Sequence, residues 1–304
     1  MKRSVLLVTH PRRPDVIDVV RQVSTQLRAA GIESVISESD AAAFHGADLA
    51  GVEVVSDEDP SQGRELAIVL GGDGTILRGA EITRETGVPL VGINLGKVGF
   101  LAEAEMGELD EVIQHIVARD YAIDERMTLE VTVSDGGQVR TTTWALNEVS
   151  IEKAARERML EVIVEIDGRP LSTWGCDGVI IATPTGSTAY AFSAGGPVVW
   201  PDVEAILLVP NSAHALFARP VVVGPTSRLA VEVIPHAEGL GVMWCDGRRP
   251  VDLRPGSRID VRRSAVPMRL ARLTPEPFTD RLVEKFDLSV VGWRGNGAAR
   301  TRTP

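Results

Sequence analysis

The feature that most constrains the fold is a series of short apolar runs that do not alternate with polar residues. Val5–Val8, Leu66–Leu70 and Val88–Ile93 are runs of this kind, and helical patterns lie between them. Strands that are apolar on both faces are typical of a parallel sheet covered by helices on both sides. We therefore predict an N-terminal α/β domain over residues 1–122.

The helical pattern is clearest over residues 14–30, where valines recur on one face before Gly31 ends the helix. We predict two further helices over 75–86 and 107–118. Residues 38–63 are acidic and small. We interpret that segment as a surface excursion and assign no chemistry to it.

Beyond about residue 120 the pattern changes to short segments rich in β-branched residues, many of them alternating. Asp167-Gly168 and Asp246-Gly247 are hairpin signals between such segments. The sequence predicts a mostly-β domain over 123–275. The small polar tail, residues 294–304, is predicted to be disordered. The main strand predictions are Thr128–Val133, Thr141–Ile151, Leu160–Ile166, Val179–Ala182, Ile206–Val209, Leu229–Ile234, Ile259–Val261 and Met268–Leu273.

Composition excludes several classes of protein. The 304 residues carry a formal net charge of −10, which argues against a nucleic-acid binder with a basic face. Two distant cysteines indicate neither a disulfide framework nor a zinc site. The first apolar run is much shorter than the roughly 7–15 residues of a signal peptide, and no run approaches the ~18 residues of a membrane span. We expect a cytoplasmic protein with no membrane partner.

One carboxylate stands among glycines where the apolar run Leu66–Leu70 ends, in the sequence GGDGT from Gly71 to Thr75. Glycines let a backbone approach a ligand closely. A helix that begins here would aim free N–H groups and its positive dipole end at an anion. We predict a phosphate-binding loop formed by Gly71, Gly72, Gly74 and Thr75. Its spacing fits neither the Walker A loop nor GxGxxG, and a turn with Asp73 as a helix cap is the alternative.

Asp73 is the informative residue of this loop, because a carboxylate repels phosphate. It is explained if it accepts a proton from an attacking hydroxyl or if it holds Mg²⁺, and phosphoryl transfer uses both roles. No motif supplies a ready-made metal site, so Mg²⁺ is expected to bind through phosphates, either alone or with Asp73. The loop indicates a kinase or a phosphatase.

A second group of polar residues follows the run Val179–Ala182. There the sequence TPTGSTAY (183–190) is dense in hydroxyl groups, and Tyr190 is suited to stacking on a base. Upstream, Asn147 and Glu148 are suitable partners for ribose hydroxyls or an adenine amino group. Taken alone, each feature is also explained by a polar turn or a polar strand end.

GGDGT, NLGKVGFLAE (94–103), LNE (146–148) and TPTGSTAY occur in the order found in the NAD kinase family, and this chain resembles that family over about residues 1–293. HALFARP (214–220) is similar to its actinobacterial members. The resemblance implies a Rossmann-like α/β domain and a β-sandwich-like domain, with residues 276–293 returning to the first. It implies phosphoryl transfer from ATP or inorganic polyphosphate to the 2′-hydroxyl of the adenosine ribose of NAD, giving NADP, by a homodimer or homotetramer.

The resemblance also implies roles for individual residues. Asp73 resembles the catalytic residue that accepts the 2′-hydroxyl proton, and Arg78 resembles a phosphate contact. The wall that holds the dinucleotide is expected from Thr188, Ala189, Tyr190, Ala191, Phe192 and Ser193. The remaining NAD contacts expected by resemblance are Gly74, Asn147, Glu148, Arg158 and Asp177.

Two positions depart from the family pattern. Arg248 stands where many members have Gln, and Gly175 stands where some carry a basic residue. Two other functions remain as alternatives. A lipid kinase shares GGDGT, but the chain shows no basic amphipathic stretch for a membrane surface. A dinucleotide sensor that does no chemistry would leave Asp73 unexplained.

Overall fold

The computed structural model describes residues 2–10, 16–49, 51–96, 99–155, 158–235, 239–273 and 277–290. The chain divides into two compact units. The first contains residues 1–79, 90–122 and 271–304, and the second contains 80–89 and 123–270. The domain boundaries given above stay a prediction, and the predicted disordered tail lies outside the described residues.

The first unit alternates strands and helices. Its segments are β1 (Ser4–Thr9), α1 (Val16–Ala29), β2 (Glu33–Ser37), α2 (Glu38–Ala42), β3 (Glu53–Val55), β4 (Leu66–Leu70), α3 (Asp73–Thr83), whose last four residues belong to the second unit, β5 (Leu90–Asn94), β6 (Ala104–Glu105) and α4 (Leu109–Ala118). The helix predicted over 75–86 begins two residues earlier and ends three residues earlier. Residues 38–63 are not a featureless excursion, since they contain α2 and β3.

The strands of this unit form a parallel sheet in the order β3-β2-β1-β4-β5. This is the order of a Rossmann-type half-sheet, which confirms the predicted α/β fold. All residues of β1, β4 and β5 are buried, as expected for strands covered on both faces. The order reverses between β1 and β4, and ligands of such sheets bind beyond the carboxyl ends of the strands at that switch point.

The second unit is almost entirely β. Its segments are β7 (Ala122–Arg126), whose first residue still belongs to the first unit, β8 (Leu129–Asp135), β9 (Gln138–Ala145), β10 (Glu148–Lys153), β11 (Leu160–Ile166), β12 (Arg169–Cys176), β13 (Gly178–Ala182), α5 (Tyr190–Ser193), β14 (Ile206–Asn211), β15 (Val221–Val223), β16 (Leu229–Val233), β17 (Gly241–Cys245), β18 (Arg249–Leu253) and β19 (Ser257–Arg263).

Two antiparallel sheets of six strands each make up this unit, in the orders β15-β14-β13-β10-β17-β18 and β12-β11-β16-β19-β8-β9. One core contains buried side chains of both sheets, including Ile151 and Ile181 of the first and Val162 and Trp174 of the second. The predicted sandwich-like fold is therefore confirmed. Alternation along β8 and β11, with every second residue buried, is the pattern of strands with one wet face.

One strand prediction was wrong in a way that matters for function. The sequence predicts a single strand over Thr141–Ile151, but the structure has β9 in one sheet and β10 in the other. The chain leaves one sheet and enters the next at Leu146 and Asn147. Both predicted hairpins are present: Asp167 and Gly168 have φ of 52° and 73°, and Asp246 and Gly247 have 54° and 63°.

After the sandwich the chain supplies β20 (Met268–Arg272), whose last two residues belong to the first unit, and α6 (Phe278–Lys285) within that unit. Residues 277–290 thus lie in the same unit as the N-terminal sheet. Among the described residues, no helix is long and apolar enough to cross a membrane.

Candidate functional site

The GGDGT loop joins β4 to α3 at the switch point of the parallel sheet. Gly71 needs to be glycine, because a Cβ there would overlap the side chain of Thr75. The N–H groups of Gly71 and Thr75 already donate to the carbonyls of Ile93 and Gly72, at 3.0 and 2.8 Å. The N–H groups over 72–74 are the ones left to face an anion, since a helix start has no internal partners for them.

Asp73 is the first residue of α3 and is only partly buried. Its two carboxylate oxygens accept hydrogen bonds from the backbone N–H groups of Phe100 and Leu101, each at 3.2 Å. A Cβ on Gly99 would overlap Asp73 Oδ1. The carboxylate is thus held in a fixed place by a second loop, and each oxygen keeps a further lone pair for a substrate proton or a cation.

Arg78, one turn after the loop, is tied to the first unit's own backbone. Its guanidinium donates to the Thr9 carbonyl at 3.0 Å and pairs with Asp40 Oδ1 at 2.5 Å. Asp40 is buried, and its other oxygen accepts the Thr9 N–H. The ion pair orients Arg78 at the carboxyl end of β1, beside the switch point. Its predicted phosphate contact stays a prediction.

In the second unit, the point where the chain crosses from β9 to β10 is held by one buried carboxylate. Asp246 accepts hydrogen bonds from the N–H groups of Leu146, Asn147 and Glu148, at 3.0, 2.7 and 3.3 Å. Arg249 pairs with the same carboxylate at 2.9 Å. This clasp ends β9 and presents Asn147 and Glu148 at the end of a strand, where adjacent side chains can serve one ligand.

The side chains of Asn147 and Glu148 are buried and poorly paired. Asn147 Oδ1 meets no hydrogen-bond donor among the described residues. Glu148 Oε2 accepts only a long bond, 3.4 Å, from the Tyr190 N–H. Burial, with a smaller contribution from the nearby Asp246 carboxylate, raises the pKa of Glu148 to about 8. Unpaired buried polar atoms are costly, so these two side chains are suited to a polar ligand.

The TPTGSTAY turn packs directly on this pair. The Thr183 hydroxyl donates to the Leu146 carbonyl at 2.6 Å, and the Thr183 N–H donates to the Asn147 carbonyl at 2.9 Å. A Cβ on Gly186 would overlap that Asn147 carbonyl. The predicted neighbours Asn147, Glu148 and the turn are therefore together in one cluster.

The predicted wall over 188–193 begins in a short 3₁₀ turn and continues as α5. Ala191 is buried, while Thr188, Ala189 and Tyr190 are partly buried and Phe192 and Ser193 are exposed. The Tyr190 hydroxyl accepts a hydrogen bond from Asn211 at 3.3 Å, and burial raises its pKa. The Tyr190 backbone N–H is the group of this wall that contacts the Glu148 carboxylate, and the dinucleotide contacts of residues 188–193 stay a prediction.

Two further residues predicted to contact NAD, Asp177 and Arg158, also belong to the second unit. Asp177 pairs with Lys153 at 2.6 Å, and this hydrogen bond lowers the pKa of Asp177. Arg158 is exposed. The Gly175 carbonyl accepts a hydrogen bond from the His214 backbone N–H, at 2.8 Å. The Asp177 N–H donates at 3.1 Å to the carbonyl of Asn211, the residue that also binds the Tyr190 hydroxyl. The contacts of Asp177 and Arg158 with a ligand stay predictions.

Arg248, which replaces a Gln of the family pattern, has a clear place. It makes a two-bond pair with Glu81 at 3.0 and 3.1 Å, and Arg249 pairs with the same carboxylate at 2.5 Å. Arg249 also lies over the Trp144 ring, 4.6 Å from its centroid. Arg248 thus shares the Glu81 carboxylate with Arg249, and it is Arg249 that pairs with Asp246.

Sequence reasoning missed three contributors: Asp40, Asp246 and the backbone of Phe100 and Leu101. In the sequence, Asp246-Gly247 indicates only a hairpin, and NLGKVGFLAE contributes only to the family resemblance. One sequence signal points to Asp246: it is an acid at the first position of an Asp-Gly turn, where its side chain can accept hydrogen bonds from nearby backbone N–H groups. Asp40 and the two N–H groups have no signature in sequence, because their partners are distant in the chain.

Among the described residues, no group of three or more His, Cys, Asp or Glu side chains is placed to hold a metal ion. Mg²⁺ keeps several waters and binds through one or two carboxylates together with substrate phosphates. Asp73, a lone carboxylate at a loop suited to phosphate, fits that mode of binding.

A Rossmann-type half-sheet with an acid in the glycine-rich loop at its switch point favours a nucleotide-dependent phosphotransferase. Two family profiles match the chain: the ATP-NAD kinase N-terminal domain over residues 5–121 and the ATP-NAD kinase C-terminal domain over 146–273. The chain belongs to the NAD kinase family. The predicted kinase activity is confirmed at this level.

Individual relatives agree. The chain is 57% identical to NAD kinase 2 of Streptomyces coelicolor, over 96% of this chain and 97% of the relative. It is 55% identical to the NAD kinase of Thermobifida fusca, over 98% and 93%. Among solved structures, an Archaeoglobus fulgidus NAD kinase in complex with ATP is 25% identical with a TM-score of 0.68, over 94% and 99% of the two chains. Yeast NADH kinase complexed with NADH has the same fold, with a TM-score of 0.86 over 97% and 90%, at 24% identity.

Proposed function

We propose that this enzyme transfers the γ-phosphoryl group of ATP to the 2′-hydroxyl of the adenosine ribose of NAD, producing NADP. The observation that carries the proposal is Asp73, a carboxylate held by two backbone N–H groups at the start of α3, where the parallel sheet reverses its order. A structural cap would need no second loop built around it.

Asp73 accepts the proton of the 2′-hydroxyl as the ribose oxygen bonds to the γ-phosphorus. The bond from that phosphorus to the bridging oxygen breaks, and ADP leaves with the bond's electrons. The Phe100 and Leu101 N–H groups hold the Asp73 carboxylate in one orientation. General-base assistance of this kind is worth about 10²–10⁴-fold in rate.

The phosphate-binding elements are the free N–H groups over 72–74 and the positive end of α3, with Arg78 beside them. Gly72 and Gly74 are exposed and leave room for a phosphate to approach. Mg²⁺ would be held by the donor phosphates and Asp73, and when bound it would neutralise charge on the transferring oxygens.

NAD recognition falls to the second unit. We assign the dinucleotide contacts first to Asn147 and Glu148, whose buried polar atoms lack good partners, and next to the adjoining wall. A neutral Glu148, favoured below about pH 8, both donates to and accepts from hydroxyl or amino groups. The full set of proposed NAD contacts is Asp73, Gly74, Arg78, Asn147, Glu148, Arg158, Asp177, Thr188, Ala189, Tyr190, Ala191, Phe192 and Ser193.

The test is NADP formation by the purified protein with Mg²⁺, NAD and either ATP or inorganic polyphosphate, read with an NADP-specific dehydrogenase. Turnover with ATP supports the proposal, and turnover with polyphosphate adds that donor. NADH is tested in parallel, because the yeast relative was solved with NADH. Absence of NADP with every donor would overturn the proposal, and lipid acceptors and NAD binding without turnover would then be examined.

We also propose a cytoplasmic homodimer or homotetramer without a nucleic-acid or membrane partner. The acidic composition supports the lack of a nucleic-acid partner. Light scattering coupled to size-exclusion chromatography measures the mass of the assembly, and a monomer at micromolar concentration would contradict the proposal.

A further inference from the structure

Arg281 of α6 is bound to the loop that holds Asp73. Its guanidinium donates to the carbonyls of Ala102 and Phe100, at 2.6 and 3.4 Å. It also pairs with Glu103 at 3.0 Å. All these residues belong to the first unit. The Arg281 side chain thus binds three of the four residues that follow Gly99 in the NLGKVGFLAE segment, namely Phe100, Ala102 and Glu103.

The charges in this contact are buried. The Glu103 side chain is 1% exposed and that of Arg281 is 10% exposed. Arg272 pairs with the same carboxylate at 2.7 Å, and the Leu273 N–H donates to it at 2.9 Å. Because an unpaired buried charge is strongly unfavourable, this network fixes Arg281 and therefore the carbonyls that it binds.

Aromatic packing reinforces the same contact. The Phe100 ring lies 6.1 Å from the Phe278 ring and 5.7 Å from the Phe286 ring, in tilted arrangements. Phe278 begins α6 and Phe286 follows its last residue. Residues at both ends of α6 therefore pack against the Phe100 ring, and Arg281 lies between them in the helix.

One peptide group connects Arg281 to Asp73 by hydrogen bonds at both of its ends. The peptide between Phe100 and Leu101 accepts from Arg281 at its carbonyl and donates to Asp73 Oδ1 at its N–H. A hydrogen bond at the carbonyl of a peptide polarises and orients its N–H. Displacing Arg281 therefore moves or weakens the donors that hold Asp73.

We propose that Arg281 is a positioning residue for Asp73, so that α6 acts as a clamp on the catalytic carboxylate. The proposal rests on the function proposed above for Asp73. A misplacement of about 1 Å in a catalytic group can cost 10²-fold in rate, which sets the scale of the expected effect.

The first experiment measures the structural link without any turnover. Amide hydrogen exchange of residues 99–103 is followed by NMR or mass spectrometry in the wild type, Arg281→Met and the control Arg21→Met. Arg21 matches Arg281, because it lies on a helix of the first unit and binds one carboxylate and one backbone carbonyl, from Asp18 and Asp48. We expect faster exchange at Phe100 and Leu101 in Arg281→Met only. Unchanged exchange would overturn the proposal.

The second experiment is a double-mutant cycle on NADP formation. Arg281→Met is expected to lower kcat about 10–100-fold, with the Kd for NAD within about twofold of wild type in calorimetry. In the Asp73→Asn background the same change should lower kcat less than about threefold, because the group it positions is gone. Equal factors in both backgrounds, or an unchanged kcat, would overturn the proposal.

Two further variants keep the test decisive. Arg281→Lys retains a charge for Glu103 but lacks the planar fork that also reaches both carbonyls, so its kcat should lie between those of wild type and Arg281→Met. If Arg281→Met does not fold, Arg281→Lys and Phe286→Leu are judged by the same exchange and cycle criteria. A wild type that makes no NADP would overturn the proposed function, whereas the exchange result decides the clamp independently.

Discussion

Two carboxylates stand at the ends of strands in this molecule, and their surroundings are opposite. Asp73 follows β4, is partly exposed and receives two N–H groups from the Phe100 segment. Glu148 begins β10, is buried, and receives one long hydrogen bond. The first environment orients a solvent-accessible carboxylate by two backbone N–H groups. The second raises the pKa of Glu148 to about 8 and so favours its neutral form at lower pH.

The comparison shows that the surroundings of each acid are set by hydrogen-bonding groups distant in the chain, and not by the residues next to it in sequence. The backbone donors around Asp73 come from a loop 27 residues away in sequence. The donors around Glu148 are taken by Asp246, which holds the backbone of that strand end and leaves the side chains unpaired.

The largest expected effect comes from Asp73→Asn. It removes the proton acceptor and should lower kcat about 10²–10⁴-fold, or about 3–5 kcal/mol of barrier. Steady-state NADP formation measures this. The matched control is Asp18→Asn, another acid in the first turn of a helix, and it should leave kcat unchanged. A full-rate Asp73→Asn enzyme would remove Asp73 from the chemistry.

The next effect is in the pH dependence of stability. Between pH 4.5 and about 8 the folded protein keeps a proton on Glu148 that the unfolded chain has lost, so the free energy of unfolding falls as pH rises through this window. The upper limit is ~5 kcal/mol, since a pKa unit corresponds to about 1.4 kcal/mol. Glu148→Gln should flatten the dependence in urea unfolding at pH 5–9.

Its control is Glu161→Gln, at an exposed position of β11, which should reproduce the wild-type curve. Asp246, whose pKa burial also raises, contributes with the same sign in all three proteins. A Glu148→Gln curve parallel to wild type would show that Glu148 is ionised in the folded protein and that the contrast with Asp73 is false.

Substitution of two glycines, Gly186 near Glu148 and Gly99 near Asp73, should affect stability in the first case and kcat in the second. Gly186→Ala places a Cβ against the rigid Asn147 carbonyl and should cost about 1–3 kcal/mol of stability. Gly99→Ala meets the Asp73 carboxylate instead and should lower kcat more than stability. Thermal unfolding together with NADP formation distinguishes them. Gly74→Ala and Gly96→Ala, which meet nothing within 4 Å, are the stability controls. The reverse pattern would contradict the comparison.

The smallest effect is expected at the departure from the family pattern. Arg248→Gln breaks the two-bond pair with Glu81 but leaves Arg249 on the same carboxylate. Because the Arg248 side chain is one-third exposed, the loss should be only about 0.2–1 kcal/mol of unfolding free energy. Chemical denaturation measures it against Arg262→Gln, an exposed pair with Glu130. A loss above about 2 kcal/mol would mean that the pair supports the Asp246 clasp directly.

The elements that depend on local pattern could be predicted. The non-alternating runs at 66–70 and 179–182 became buried strands, and the valine face of α1 packs on the sheet core. The wrong prediction over Thr141–Ile151 has a tertiary cause, because the break at Leu146 and Asn147 is made by Asp246, about 100 residues away. β-propensity alone continues through that point.

The sequence by itself determined the α/β and β halves, the family and the identity of the polar groups at the glycine-bounded turns, because these depend on periodicity, turn chemistry and short motifs. Only the tertiary structure decided what those groups do to each other. Hydrogen bonds from the Phe100 segment to Asp73, the Asp246 clasp, the raised pKa of Glu148 and the Arg281 contact all join residues distant in the chain. Burial and hydrogen-bond partners are properties of the packed molecule, and they set the charge and orientation of each group.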